Sequence, residues 1–196
     1  MKKLKLLSLS LAIVLVMFTL VGCDIAPKQD DITEDLEELQ VEEEEIETLE
    51  ETNELEGYTL FENSEYRLHY KEDWTTDETA VGSLTARVFL SPDGASTINI
   101  IKETLPIKYT IDQYKTASLS NLKNQYTTTD FSEEKLTVDG NEAYRITYEA
   151  DVSGMTVKVS QTLVVEEKSA YVITFSGTDE SALEVYHNIE NTFVIK

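Results

Sequence analysis

Cysteine, histidine, proline and basic side chains are all scarce in this chain of 196 residues. It has one cysteine, two histidines and three prolines, with 16 lysines and arginines against 38 aspartates and glutamates. A lone cysteine excludes an internal disulfide. The net charge of −22 argues against a nucleic-acid partner, because a phosphate backbone is bound by basic patches. His69 and His187 have no cysteine or second histidine nearby, so the spacing of a zinc site is absent.

Residues 1–22 have the composition of an export signal. Lysines at positions 2, 3 and 5 precede an apolar run over residues 6–20. In a helix those residues span about 22 Å, which is shorter than the roughly 30 Å of a bilayer core. We therefore predict a signal peptide rather than a membrane-spanning helix; an uncleaved anchor is the alternative, and both place the rest of the chain outside the cytoplasmic membrane.

The signal ends at residues 20–23, Leu-Val-Gly-Cys, which resemble a bacterial lipobox. The small residue Gly22 precedes Cys23, so cleavage is predicted between them. The resemblance implies that the Cys23 thiol carries a diacylglycerol, which anchors the chain in the bilayer. Two or three acyl chains give long-lived attachment, whereas one chain is marginal.

Residues 23–56 are predicted to be an acidic and largely disordered tether. Residues 24–56 hold sixteen acidic side chains and one lysine, a net charge of −15. Such a segment buries too little apolar surface to fold alone, and its charges repel one another. Apolar residues at near-helical spacing leave partial helix open as an alternative, and so does binding of cations or a basic partner.

Residues 57–196 form one predicted domain with a net charge of −10. Apolar and polar side chains alternate, as in Tyr66, Leu68 and Tyr70, which is typical of half-buried strands. The predicted turns are 91–94 (Ser-Pro-Asp-Gly), 139–141 (Asp-Gly-Asn), 153–154 and 166–169. Because links this short join antiparallel neighbours, we predict an antiparallel sheet.

Two segments of the domain change to a helical period. Thr110 and Gln113 form a predicted capping box for a helix that ends near Tyr126. Thr178 is predicted to cap a second helix. The predicted inner face of the first helix is Ile111, Tyr114, Ser118, Leu122 and Gln125, and that of the second is Leu183, Tyr186, Ile189 or Glu190, and Phe193. Helices interspersed with antiparallel strands predict an α+β fold.

Several motifs resemble those of PsbP-like and DcrB-like domains. Tyr-Lys-Glu-Asp-Trp at 70–74 resembles their YPxxW element, with Lys71 where proline is usual, and the runs at 139–149, 170–177 and 191–195 resemble their later strands and closing helix. The resemblance implies a helix/sheet/helix sandwich around an antiparallel sheet of about six or seven strands. It also implies a non-catalytic accessory or binding protein without a cofactor.

The motifs of common catalytic sites are absent from the sequence. It has no Gly-x-Ser-x-Gly elbow, no His-Glu-x-x-His helix and no calcium-binding loop. Three adjacent carboxylate pairs, at 72–73, 133–134 and 166–167, fall at predicted turns or strand edges and are interpreted as solvated charge. We predict no catalytic or metal-binding residues, and both histidines are interpreted as exposed surface residues.

Trp74 is the one candidate for a functional surface in the domain, because it falls in a predicted loop after the Tyr70 strand. The other strand aromatics alternate with aliphatic residues and are interpreted as core. Our leading hypothesis is a lipid-anchored extracytoplasmic module that binds an envelope protein without catalysis. Two alternatives stay open: an envelope hydrolase with a convergent carboxylate pair, and a domain that binds a small ligand or a metal.

Overall fold

The computed structural model describes residues 56–125, 128–152, 154–177 and 181–196. In these ranges the chain forms ten strands and two helices. They are β1 (Tyr58–Glu62), β2 (Tyr66–Lys71), β3 (Thr75–Val81), β4 (Leu84–Leu90), β5 (Ser96–Thr104), α1 (Ile111–Gln125), β6 (Thr128–Val138), β7 (Asn141–Val152), β8 (Met155–Glu166), β9 (Ser169–Gly177), α2 (Ser181–Thr192) and β10 (Val194–Ile195).

Seven of the strands form one antiparallel sheet in the order β3-β4-β5-β9-β8-β7-β6. Its β4–β5, β6–β7, β7–β8 and β8–β9 hairpins form at the four predicted turns, whereas the β3–β4 hairpin, which turns at residues 82–83, was not predicted. Between β6 and β7, Asp139 and Gly140 have φ of 49° and 74°, the left-handed conformation that a two-residue hairpin of this kind requires. The predicted α+β fold with an antiparallel sheet of six or seven strands is confirmed.

The two faces of the large sheet carry different layers. Consecutive residues of β9 show this, because their side chains point to opposite faces: Val172 packs with α1 and Ile173 packs with α2. The α2 face is also covered by a second sheet, of order β1-β2-β10. In this sheet β10 pairs with β2, although most of the domain sequence lies between the two strands. This three-stranded sheet was not predicted.

Helix α1 begins as predicted. The Thr110 N–H donates to Gln113 Oε1 at 2.9 Å, and the Gln113 N–H donates to Thr110 Oγ1 at 3.2 Å, which is a capping box. Four of the five residues predicted for its inner face are buried: Ile111, Tyr114, Ser118 and Leu122. The side chain of the fifth, Gln125, lies outside the described part.

Helix α2 is rotated slightly from the predicted orientation. Its buried residues are Ala182, Val185, Tyr186, Ile189 and Glu190. Leu183 was predicted to face inward and is only half-buried, because small Ala182 and branched Val185 occupy the face that packs on the sheet. Thr178, the predicted cap, lies outside the described residues. Neither helix in the described ranges has the length and apolar character needed to cross a membrane.

Candidate functional site

A cleft of about 460 Å³ lies where three segments distant in sequence meet. One wall is β1 with the β2–β3 turn, the second is the β4–β5 turn, and the third is the first turns of α2. The lining includes Tyr58, Lys71, Asp73, Trp74, Pro92, Asp93, Ala182, Glu184 and Val185. Apolar side chains on a concave surface with charges at the rim are the usual composition of a binding site.

Trp74 is placed at this cleft by a tight turn. The Trp74 N–H donates to the Lys71 carbonyl at 3.0 Å, which turns the chain from β2 into β3. The Glu72 N–H donates to the Gly57 carbonyl at 3.1 Å and fixes the same turn to the chain as it enters β1. The indole is 6% exposed and belongs to the core between the large sheet and α2. It therefore forms part of the cleft floor, and its membership of a functional surface stays a prediction.

The β4–β5 turn holds the Asp93 carboxylate in place. Asp93 Oδ1 accepts hydrogen bonds from the Ser91 hydroxyl at 2.6 Å and from the Ala95 N–H at 3.0 Å. These two donors, the Ser91 hydroxyl first, lower the pKa of Asp93. A carboxyl held in its charged form is a poor general acid and a good partner for a cation.

The cleft rim is acidic overall. Asp73, Asp93 and Glu184 lie at the rim with a single lysine, Lys71, and all four side chains are exposed. Burial, and then the negative charge of Glu184, raises the pKa of the Tyr58 phenol. Tyr58 and Glu184 thus lie on different walls of the same cleft.

A second cleft, of about 290 Å³, lies between the small sheet and β3-β4-β5. Both of its carboxylates are ion-paired: Glu65 lies 3.0 Å from the Lys102 ammonium, and Glu78 bonds the Arg87 guanidinium. Because each carboxylate is held by its own cation, this cleft does not have the free, convergent pair that a glycosidase uses.

Sequence reasoning missed a buried charge network around Glu190. The Glu190 side chain is 1% exposed and accepts two bonds from Arg145, with Nε to Oε1 at 3.0 Å and Nη2 to Oε2 at 2.6 Å. The Thr162 hydroxyl also bonds Glu190, and the Nδ1 atom of His187 lies 2.8 Å from Glu190 Oε2. A carboxylate with this many partners holds α2 on β7 and β8 and has no free lone pair directed at a substrate.

Both histidine positions differ from the sequence interpretation, which made each an exposed surface residue. His187 keeps 42% of its side chain exposed but contacts the buried Glu190, so the interpretation of it as a simple surface residue was incomplete. His69 is half-buried on β2. Within the described ranges no three residues among His, Cys, Asp and Glu are grouped so that they can hold a metal ion.

The three carboxylate pairs interpreted as solvated charge are exposed in the structure: Glu72-Asp73, Glu133-Glu134 and Glu166-Glu167. Asp73 of the first pair lines the acidic cleft, which the local sequence did not indicate. Gly22 and Cys23, the predicted cleavage and lipidation residues, lie outside the described residues.

Glu103 is the other buried carboxyl that sequence reasoning missed. It is 6% exposed on β5 and accepts a hydrogen bond from the Tyr114 hydroxyl of α1 at 3.0 Å. Burial raises the pKa of Glu103, and the Tyr114 hydrogen bond opposes the shift in part. The neutral form of Glu103 therefore stabilises the fold, and this contribution is lost as pH rises through the raised pKa.

We expect Glu103→Gln to gain stability relative to the native protein as pH rises. Glutamine stays neutral, so the difference in free energy of unfolding should grow as pH rises above the ordinary glutamate pKa of about 4.3. Urea unfolding at a series of pH values from about 4 upward measures it. The control is Glu166→Gln, at an exposed site on β8, where the difference should stay flat. An equally flat difference for Glu103→Gln would contradict the prediction.

Comparison with known proteins finds solved structures that are similar to this one. CyanoP, the cyanobacterial PsbP of Synechocystis sp. PCC 6803, is similar, with a TM-score of 0.56 and 13% identity over 74% of this chain and 96% of that one. LpqN of Mycobacterium tuberculosis, a protein involved in cell envelope biogenesis, has a TM-score of 0.47 and 18% identity over 71% of this chain and 90% of that one. No protein of curated function matches the chain. A family model described as PsbP-like protein matches residues 12–194, and the chain therefore belongs to the PsbP-like family.

Proposed function

We propose that this protein is an extracytoplasmic lipoprotein whose PsbP-like domain is a non-catalytic accessory module for another envelope protein. Cys23 carries the lipid, residues 24–56 hold the domain away from the anionic bilayer surface, and the cleft beside Trp74 is the binding surface. The lipobox resemblance supports the anchor, and the family supports the accessory role.

The composition of the cleft is the observation that carries this proposal. Its floor is apolar, with Trp74, Ala182 and Val185, while its rim carries charges of both signs. An apolar centre with a polar rim is the arrangement of protein recognition surfaces. A hydrolase would need a carboxyl kept protonated beside a second one, whereas Asp93 is held in the charged form by the Ser91 hydroxyl and the Ala95 N–H.

Photo-cross-linking in intact cells tests the proposal. A benzophenone amino acid replaces Pro92, an exposed residue at the cleft, or Glu142, an exposed residue on β7 far along the sheet. We expect a discrete membrane-associated adduct from position 92 and none from position 142. Cells fed an alkyne-bearing fatty acid should label the chain and leave Cys23→Ser unlabelled.

Two results would overturn the proposal. One is an absence of any discrete adduct from the cleft, together with turnover of a cell-wall substrate by the purified protein. The other is fatty-acid labelling that persists in Cys23→Ser, which would remove the anchor.

A further inference from the structure

We infer that the partner presents a basic segment to the cleft, in which at least two lysine or arginine side chains meet Asp73, Asp93 and Glu184. This inference rests on the proposed function and specifies the chemistry of the partner. It is carried by the charge balance of the cleft, by the shape of its walls and by the place where the acidic segment joins the domain.

The charge balance favours a cationic occupant. Three carboxylates face one ammonium, that of Lys71, at the rim. Three carboxylates and one ammonium give a charge of −2, to which the N-terminus of α2 adds about half a positive charge. The cleft therefore keeps a net negative charge of more than one unit. The absence of a metal-holding group in the described ranges argues for an organic cation rather than a metal ion.

The walls suit the stem of a long basic side chain. Tyr58 and Pro92 line the cleft with partly exposed rings above the Trp74 floor. Lysine and arginine pack their methylene groups on apolar surfaces while the charged end stays at the polar rim. Arginine additionally stacks on aromatic faces. One segment can therefore use the floor and the rim together.

The acidic segment joins the domain at the mouth of this cleft. Residue 56 is the last of the segment that carries a net charge of −15, and Tyr58 already forms part of the cleft wall. The Glu72 N–H bond to the Gly57 carbonyl fixes this junction beside Asp73. The segment therefore attracts a basic partner over a distance and raises its association rate. The cleft holds the bound partner and lowers its dissociation rate.

Fluorescence anisotropy with the full chain tests the inference. The probe is a fluorescein-labelled peptide of alternating lysine and leucine, and its counterpart has glutamate in place of lysine. We expect saturable binding of the lysine peptide only, weakened steeply by salt. Removing three cleft charges with Asp73→Asn, Asp93→Asn and Glu184→Gln should weaken binding about tenfold, mainly through faster dissociation.

The matched control removes three carboxylates elsewhere, with Glu142→Gln, Asp151→Asn and Glu166→Gln. Asp151 is a fair match for Asp93, because it too accepts a backbone hydrogen bond in a hairpin turn, from Gly154 at 2.9 Å. This triple variant should bind within about twofold of the native protein. A further variant with glutamine at residues 42–45 should slow association and leave dissociation unchanged.

Three outcomes would overturn the inference. They are equal affinity of the cleft and control triple variants, equal binding of the glutamate peptide, and binding that is lost only in the variant of residues 42–45. If cross-linking from position 92 still yields its adduct in any of these cases, the proposed function stands and only the basic nature of the partner is wrong.

Discussion

Replacing Arg145 with methionine is expected to destabilise the domain by about 3–5 kcal/mol. The guanidinium makes two hydrogen bonds to Glu190, whose side chain is 1% exposed. Methionine retains much of the side-chain volume but leaves a buried carboxylate without its main counter-charge. Breaking such a pair costs far more than the pair itself contributes, because the remaining charge cannot be solvated. Urea unfolding at neutral pH measures the change as a lower midpoint concentration of urea, with the slope of the free energy against urea concentration unchanged.

The same guanidinium supplies the matched control. Arg145 also binds Glu134 on β6, with Nη1 to Oε2 at 2.7 Å, but that carboxylate is 63% exposed. Glu134→Gln should cost at most about 1 kcal/mol, as exposed ion pairs do. The double variant Arg145→Met, Glu190→Leu should recover most of the loss, since it removes both buried charges. Equal losses from Arg145→Met and Glu134→Gln would contradict the prediction.

Local chemistry in the sequence was sufficient to predict four hairpins of the large sheet and the start of α1. The dipeptide Asp139-Gly140 tolerates positive φ at both positions, so its turn type follows from residue identity alone. The Thr110 and Gln113 side chains bond backbone groups only three positions away. Such features depend on contacts within a few residues, and a single sequence contains all of the information for them.

Strand β3 and all but the last residues of β6 could not be predicted from alternation. Each is an edge strand of the large sheet, and most of its side chains are exposed on both faces. Without a buried face there is no apolar period to detect, and pairing with one neighbour decides the structure. A bulge between Thr129 and Ser132, with Asp130 at φ 50°, interrupts β6 further. Such irregularities are common at sheet edges, where they limit pairing with other chains.

The candidate cleft was only partly accessible from sequence. Trp74 was singled out because it is an aromatic residue in a loop. Asp93 and Glu184, which give the cleft its charge, lie on segments distant from it in sequence and are brought together by the packing of α2 against the two sheets. Neither residue has a local signal beyond that of a turn or a helix start. Assembly of the site is therefore a tertiary property, which a single sequence without homologues does not reveal.

Phe193 is a residue whose loss should weaken the junction between the two sheets. It is 1% exposed and follows α2 directly. Its ring stacks on Tyr66 of β2, with centroids 5.1 Å apart, and meets Tyr171 of β9 edge-on at 5.7 Å. Phe193 thus contacts both sheets at once, in addition to the direct ring contacts of Tyr66 with Tyr171 and of Phe61 and Tyr70 with Phe89.

Phe193→Ala is expected to cost about 3–5 kcal/mol, since a cavity remains in addition to the lost apolar transfer energy. Phe193→Leu should cost less, about 1–2 kcal/mol, because it keeps more of the volume. The matched control is Phe131→Ala, at a site 37% exposed, with an expected cost below about 1 kcal/mol. Amide hydrogen exchange gives the spatial readout: in Phe193→Ala, β2 should lose protection before β7, because Phe193 packs β2 on the large sheet. Uniform loss of protection, or a cost no larger than that of Phe131→Ala, would show that this ring does not hold the small sheet in place, and the position of the β1 wall of the cleft would then depend on other contacts.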